Sequence, residues 1–256
     1  MTEGPASAST PANDVRVAVL FSTRLPFASG ATVTGADLAR ASWALPLAGA
    51  LVGGIGAVIY WLGFALGLAP FICATLTVAT TLLVTGGLHE DGLADTADGF
   101  GGGASREQKL DILRDSRIGS FGACALVLSI MLRVGSLTVL AEPAHVAPAL
   151  IAAHVAARGI LPIFMRATPP ARAEGLSAAA GRPALAQAVI AGCIGAAALA
   201  FALPRAAAMI AALLLLAAIA GLSRLSMRQI GGQTGDVIGA LEQIGECLVL
   251  LVASGA

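Results

Sequence analysis

Apolar residues run in long unbroken blocks along most of this chain, and polar residues gather between the blocks instead of alternating within them. Alternation, the mark of a half-buried strand, is absent, and the runs are too long for strands. A hydrocarbon layer of about 30 Å takes about 20 apolar helical residues to cross. Seven spans are predicted on that measure, at roughly 43–68, 71–87, 120–141, 145–165, 184–203, 206–223 and 237–254. Several are rich in Gly and Ala, as in ALVGGIGAVIYWLGFALG, and small residues let membrane helices approach closely. The expected fold is an all-α polytopic transmembrane bundle of about seven spans. One membrane-embedded domain is expected over residues 16–256, after a small, polar, disordered tail at 1–15 without the pattern of a signal peptide.

Composition supports this pattern. Hydrophobic residues make up 57% of the 256 and charged residues 12%, against about 25% charged in a soluble domain. The lipid bilayer is therefore an expected partner. Formal net charge is zero, so nothing points to nucleic acid. Cys73, Cys124, Cys193 and Cys247 stand singly in apolar runs and read as small buried residues, not as a disulfide frame or zinc site.

Charge placement adds an orientation. If the spans alternate, twelve basic residues fall on one side and only Arg205 on the other. The basic side is expected in the cytoplasm, with the N-terminus, in a multi-pass protein of the cell (inner) membrane. Arg133 and Arg158 fall inside spans, where a charge normally faces a polar cavity or a partner.

Against this apolar background, LHEDGLADTADGFGG at 88–102 places four carboxylates and a histidine within residues 89–99. Asp91, Asp95 and Asp98 are spaced i, i+4, i+7, so on a helix they share one face. Three anions so close repel unless a cation neutralises them, and oxygen-only ligands favour a hard cation such as Mg²⁺. A plain solvated acidic face is the alternative. Gly92 and Gly99 leave backbone room on the helix, and Gly101–Gly103 are expected to form a flexible loop whose N–H groups can approach phosphate oxygens. His89 can serve as a base, a donor to substrate or an interfacial residue. In DSRIGSFG, at 115–122, Arg117 reads either as a bidentate phosphate contact or as a cytoplasmic anchor. A second polar cluster, GGQTGDVIGALEQIGE at 231–246, puts Asp236, Gln243 and Glu246 on one helical face. Glu246 lies deep in the last span and demands a partner, for which Arg158 is the candidate. The two clusters are expected to meet in one cavity.

HEDGLADTADG together with DSRIG resembles the signature of the cobalamin synthase (adenosylcobinamide-GDP ribazoletransferase) family. The resemblance extends through FSTRLPF, PLAGALVG, ARAEGL and GGQTGDVIGALEQIGE, over residues 17–256. Glu90 departs from the family pattern, which usually has an uncharged residue there, and Glu242 stands at a position expected to vary. The resemblance implies a Mg²⁺-dependent membrane enzyme that joins adenosylcobinamide-GDP to α-ribazole or its 5′-phosphate and releases GMP. It assigns catalysis to His89, Asp91, Asp95, Asp98 and Arg117, metal binding to Asp91, Asp95 and Asp98, and ligand contacts to Asp115, Ser116, Arg158, Asp236 and Glu246. Asp98 or His89 would take the proton of the attacking hydroxyl. A homo-oligomer is compatible with this reading. The rival readings are another membrane pyrophosphate enzyme, such as a CDP-alcohol phosphotransferase, and a transporter. The former's signature has Arg where DGLAD has an acid, and no internal repeat supports the latter.

Overall fold

The computed structural model describes residues 10–26 and 33–256. Thirteen α-helices follow one another among the described residues, with one isolated parallel bridge between Pro170 and Gln233. They are α1 (Pro11–Ser22), α2 (Gly35–Ala41), α3 (Leu45–Ala65), α4 (Pro70–Thr85), α5 (Leu88–Gly102), α6 (Arg106–Ile112), α7 (Ser120–Leu140), α8 (Pro143–Gly159), α9 (Leu161–Ala167), α10 (Leu176–Ala180), α11 (Leu185–Ala202), α12 (Arg205–Ile230) and α13 (Gly235–Ser254). Among the described residues six stretches are long and apolar enough to cross a membrane: 35–65, 120–140, 143–167, 185–202, 205–230 and 235–254. The bent pair α4–α5 makes a seventh if it counts as one span. The protein is therefore a polytopic all-α membrane bundle, as its hydropathy predicts.

The differences from that prediction are local. Residues 1–9 of the expected tail lie outside the described residues, but 11–15 belong to α1, started by the Thr10 cap and Pro11. Asp14 anchors that helix by accepting from Arg40 at 2.9 Å and from the Trp43 indole at 3.0 Å. Helix α12 continues to Ile230, well past the apolar run that ends near 223, and carries Arg224 and Arg228 beyond the apolar layer. Cys124 and Cys193 are exposed on the outer surface of their spans, whereas Cys73 and Cys247 are buried; all four are free.

Helices α8 and α13 form the centre, with most of their residues buried, while α7, α11 and α12 present Leu128, Met131, Leu213 and Phe201 outward. The centre is also where the charged residues of the spans sit, because a membrane helix can carry them only facing protein. Small residues make the approach possible. A Cβ added at Gly49 of α3 would run into the backbone carbonyl of His154 on α8, and one at Gly53 would lie 2.8 Å from the Ile151 Cα. Gly49→Ala is therefore expected to cost about 1–3 kcal/mol, read as a lower unfolding temperature in detergent. An unchanged temperature would mean the two helices are not held this closely.

The feature that builds the site is the break between α4 and α5. Gly86 and Gly87 both adopt left-handed backbone, φ 69° and 70°, which side chains disfavour. The chain turns through 90° there. Helix α5 then runs across one end of the bundle, wedged against the starts of α7 and α13.

Candidate active site

Helix α5 carries the acidic motif, and its burial is graded. Asp91 is exposed, Asp95 half-buried and Asp98 buried. Asp91 and Asp95 line an open cavity of about 660 Å³, along with Arg24, Glu90 and Ser116. Among the described residues neither carboxylate is engaged in an ion pair, and Asp91, Asp98 and Asp236 all act on Asp95 as nearby negative charges.

Asp98 sits differently from its expected place. It lines neither this cavity nor its neighbour; instead its two oxygens accept from the backbone N–H of Gly119 at 2.7 Å and of Gly122 at 2.8 Å. Gly119 caps α7, so Asp98 satisfies the unpaired donors at that helix start. Gly122 must lack a side chain, since a Cβ there would collide with the Asp98 carboxylate. The expected glycine loop is also absent as such, because Gly101 and Gly102 continue α5 and only Gly103 ends it.

The second cluster meets the first, as expected. Gly92 lets α5 touch α13, where a Cβ would lie 2.7 Å from the Asp236 carbonyl oxygen. Asp91, His89 and Asp236 share a smaller cavity of about 240 Å³, whose other walls include Phe21, Leu161 and Met165. Asp91 thus stands between two cavities.

Arg117 does not point into either cavity. Its side chain is 87% exposed and is held by Asp115; the guanidinium keeps the Asp115 carboxyl below the usual range. Ser116, between them, lines the larger cavity.

Arg158 and Glu246 meet at 3.0 Å, but behind the cavities and in a larger set than expected. Arg158 also pairs with Glu242, and His154 with Glu246. Arg133 bridges Glu90 at 3.0 Å and Glu246 at 3.4 Å. Gln243 donates to Glu242 at 3.0 Å and accepts from Ser129 at 3.1 Å. His89 links this network to the smaller cavity, its Nδ1 lying 3.4 Å from both Arg158 and Glu242. Glu90, which looked like a local departure, is thus the first partner of Arg133, and Glu242 is fully buried. His154, Glu242 and Glu246 have the spacing of metal ligands, but the Arg158 guanidinium contacts both carboxylates and takes the place a cation would occupy. Sequence reasoning passed over Arg24, Arg133's partner, Glu242 and His154. The signal for the last two was available: His154/Arg158 and Glu242/Glu246 are each i, i+4 pairs in apolar spans, so each pair presents one charged face.

The family described as Cobalamin-5-phosphate synthase matches residues 14–254. The chain belongs to that family. Relatives named adenosylcobinamide-GDP ribazoletransferase include one from Bradyrhizobium diazoefficiens, 53% identical over 94% of this chain and 93% of its own. Another, from Mesorhizobium japonicum, is 50% identical over 95% and 93%, and one from Azorhizobium caulinodans is 48% identical over 93% and 94%. No solved structure matches significantly. The family match takes in both acidic clusters and the network beneath them, so the whole of the described site lies inside it.

Proposed function

We propose that this protein is an adenosylcobinamide-GDP ribazoletransferase, which joins α-ribazole or its 5′-phosphate to adenosylcobinamide-GDP and releases GMP. Beyond family membership, one observation carries the reading: Asp91 is the common wall of an open cavity and a smaller, more apolar one. A transferase with two unlike substrates needs two such sites meeting at one reactive point. The open cavity suits the diphosphate end of a bulky donor, and the smaller suits the flat, apolar base of the acceptor.

The residues present fit a divalent cation. Asp91 and Asp95 are unpaired carboxylates beside further negative charge, and they offer the oxygen ligands that Mg²⁺ takes. Bound there, Mg²⁺ would neutralise the diphosphate and the departing phosphate. The chain itself must hold the donor phosphorus and the acceptor hydroxyl in line. Asp91 and Asp236 face the acceptor cavity from two helices, and the Gly92 contact fixes their spacing. Arg24 adds positive charge at the donor cavity. His89 takes the hydroxyl proton: its Nδ1 faces Arg158 and Glu242, which leaves Nε2 as the nitrogen for substrate. The oxygen–phosphorus bond forms, the bond from that phosphorus to the bridging oxygen breaks, and GMP departs with that oxygen. Asp98 acts through position, by fixing α7 and the 115–119 loop against α5.

Purified protein given both substrates should release GMP in proportion to Mg²⁺ occupancy, and EDTA should stop it. GMP release undiminished without divalent cation would remove the metal from this account. No GMP from the paired substrates would end the reading and favour a transporter.

The same reading places the site on the cytoplasmic side of the inner membrane, supported by the twelve-to-one division of basic residues. Ala104 is exposed near that end. In a variant whose four native cysteines are replaced, Ala104→Cys should react only with a thiol reagent that reaches the cytoplasm. Modification by an impermeant reagent added outside intact cells would reverse the orientation.

A further inference from the structure

Beside the acceptor cavity lies a third, polar pocket of about 160 Å³, and the two share Ser177, Gly235 and Asp236. Arg172 and Gln233 line it, and each holds a buried N–H donor that meets no acceptor among the described residues: Nε of Arg172 and Nε2 of Gln233. Gln233 is only 1% exposed, and its Oε1 is already taken by the Ser177 hydroxyl at 2.7 Å. A buried donor left unpaired is destabilising, and two around one pocket call for an acceptor that brings several oxygens. The carboxylates at the rim do not supply it. Glu174 is exposed, and Asp236 accepts from the Thr234 hydroxyl at 3.0 Å while facing the acceptor cavity as well.

The walls are also held by hydrogen bonds to the rest of the chain. Residues 169–171 are tied to Gln233 by two backbone bonds, Ala171 N–H to the Gln233 carbonyl and Gln233 N–H to the Pro169 carbonyl, both 2.8 Å. Arg106 clamps the strap by donating to Ala171 at 2.8 Å and to Ile230 at 2.9 Å. Arg172 is steadied by its bond to the Leu110 carbonyl, also 2.8 Å. Of the charged groups acting on Arg172, Arg114 is positive and Asp111 and Asp236 are negative. Among the described residues no ion pair engages its guanidinium.

We propose that this pocket is an anion subsite holding the phosphate of a phosphorylated acceptor nucleoside, with Arg172 and Gln233 as the specificity-determining donors. The proposal rests on the reaction proposed above, because it takes the adjoining cavity as the place of the nucleoside. The pocket is walled by Asp236 but by neither Asp91 nor Asp95. It can therefore hold a 5′-phosphate while another hydroxyl of the ribose is presented at Asp91. The enzyme would then choose the phosphorylated nucleoside over the free one by a contact remote from the reacting bond.

The test compares α-ribazole 5′-phosphate with α-ribazole on the full-length protein and on Arg172→Gln. Wild type should prefer the phosphate form. The variant should lose that preference through a KM for it raised roughly ten- to hundredfold, with kinetics on α-ribazole nearly unchanged. Arg172→Lys should recover part of the preference. An equal loss on both acceptors would show a merely structural role and overturn the proposal, as would a preference that survives in the variant or a Lys variant that recovers none of it. Calorimetric binding of α-ribazole 5′-phosphate without donor repeats the comparison in the absence of turnover. If wild type released no GMP, the proposed reaction would fall, and this binding difference alone would still decide whether Arg172 reads a phosphate.

Discussion

Asp91→Asn and Asp95→Asn should each lower GMP release by on the order of 100-fold or more while the protein still inserts and folds. Removing an ordinary structural acid would cost stability along with activity. Here the sign is opposite, because Asp95 has three carboxylates acting on it and no pairing cation among the described residues. Losing one charge relieves repulsion, so the unfolding temperature of Asp95→Asn should hold or rise without added Mg²⁺. Added Mg²⁺ should stabilise wild type more than either variant. Asp98→Asn should behave otherwise. It weakens one of the two bonds that cap α7, so activity and stability should fall together. Full turnover in the Asp91 and Asp95 variants at limiting Mg²⁺ would remove the shared site.

The largest stability effect is expected at Arg158. Arg158→Leu leaves Glu242 and Glu246 buried without the guanidinium that contacts both. Stripping one partner from a buried ion cluster costs about 3–5 kcal/mol. The variant should be recovered in low yield, with a clearly lower unfolding temperature in detergent. Arg133→Leu should cost less, because Arg158 and His154 still hold Glu246 and only one carboxylate, the buried Glu90, loses its cation. Equal temperatures for wild type and Arg158→Leu would mean that the acids are neutral in the folded protein.

The spans were legible because a bilayer imposes length and apolarity on each one separately, whatever its neighbours are. Their boundaries at α3, α4 and α7 agree with hydropathy within a few residues. The direction of α5 was not legible. Gly86–Gly87 marks a turn in the sequence, but its 90° angle depends on which helices α5 meets. The meeting of the two acidic clusters could be inferred from their common side of the membrane. The separate duty of Asp98 could not, since its i+7 spacing from Asp91 is the same whether it faces a cation or the N–H groups of α7. Arg117 shows the same limit, because a motif places a residue beside a site without fixing where a long side chain rests.

The buried network also bears on how the chain is made. Synthesis runs from the N-terminus, so Glu90 is already present when Arg133 enters the membrane on α7, and the two can neutralise each other early. Arg158 follows on α8, yet its carboxylate partners Glu242 and Glu246 lie on α13, which is made after α11 and α12. An arginine at the centre of a membrane helix costs about 2.5–3.5 kcal/mol to insert. Helix α8 must bear that cost unrelieved by either acid through the synthesis of α11 and α12. Helix α13 thus acts as a keystone in biogenesis: until it arrives, Arg158 lacks the two carboxylates that it contacts in the folded protein.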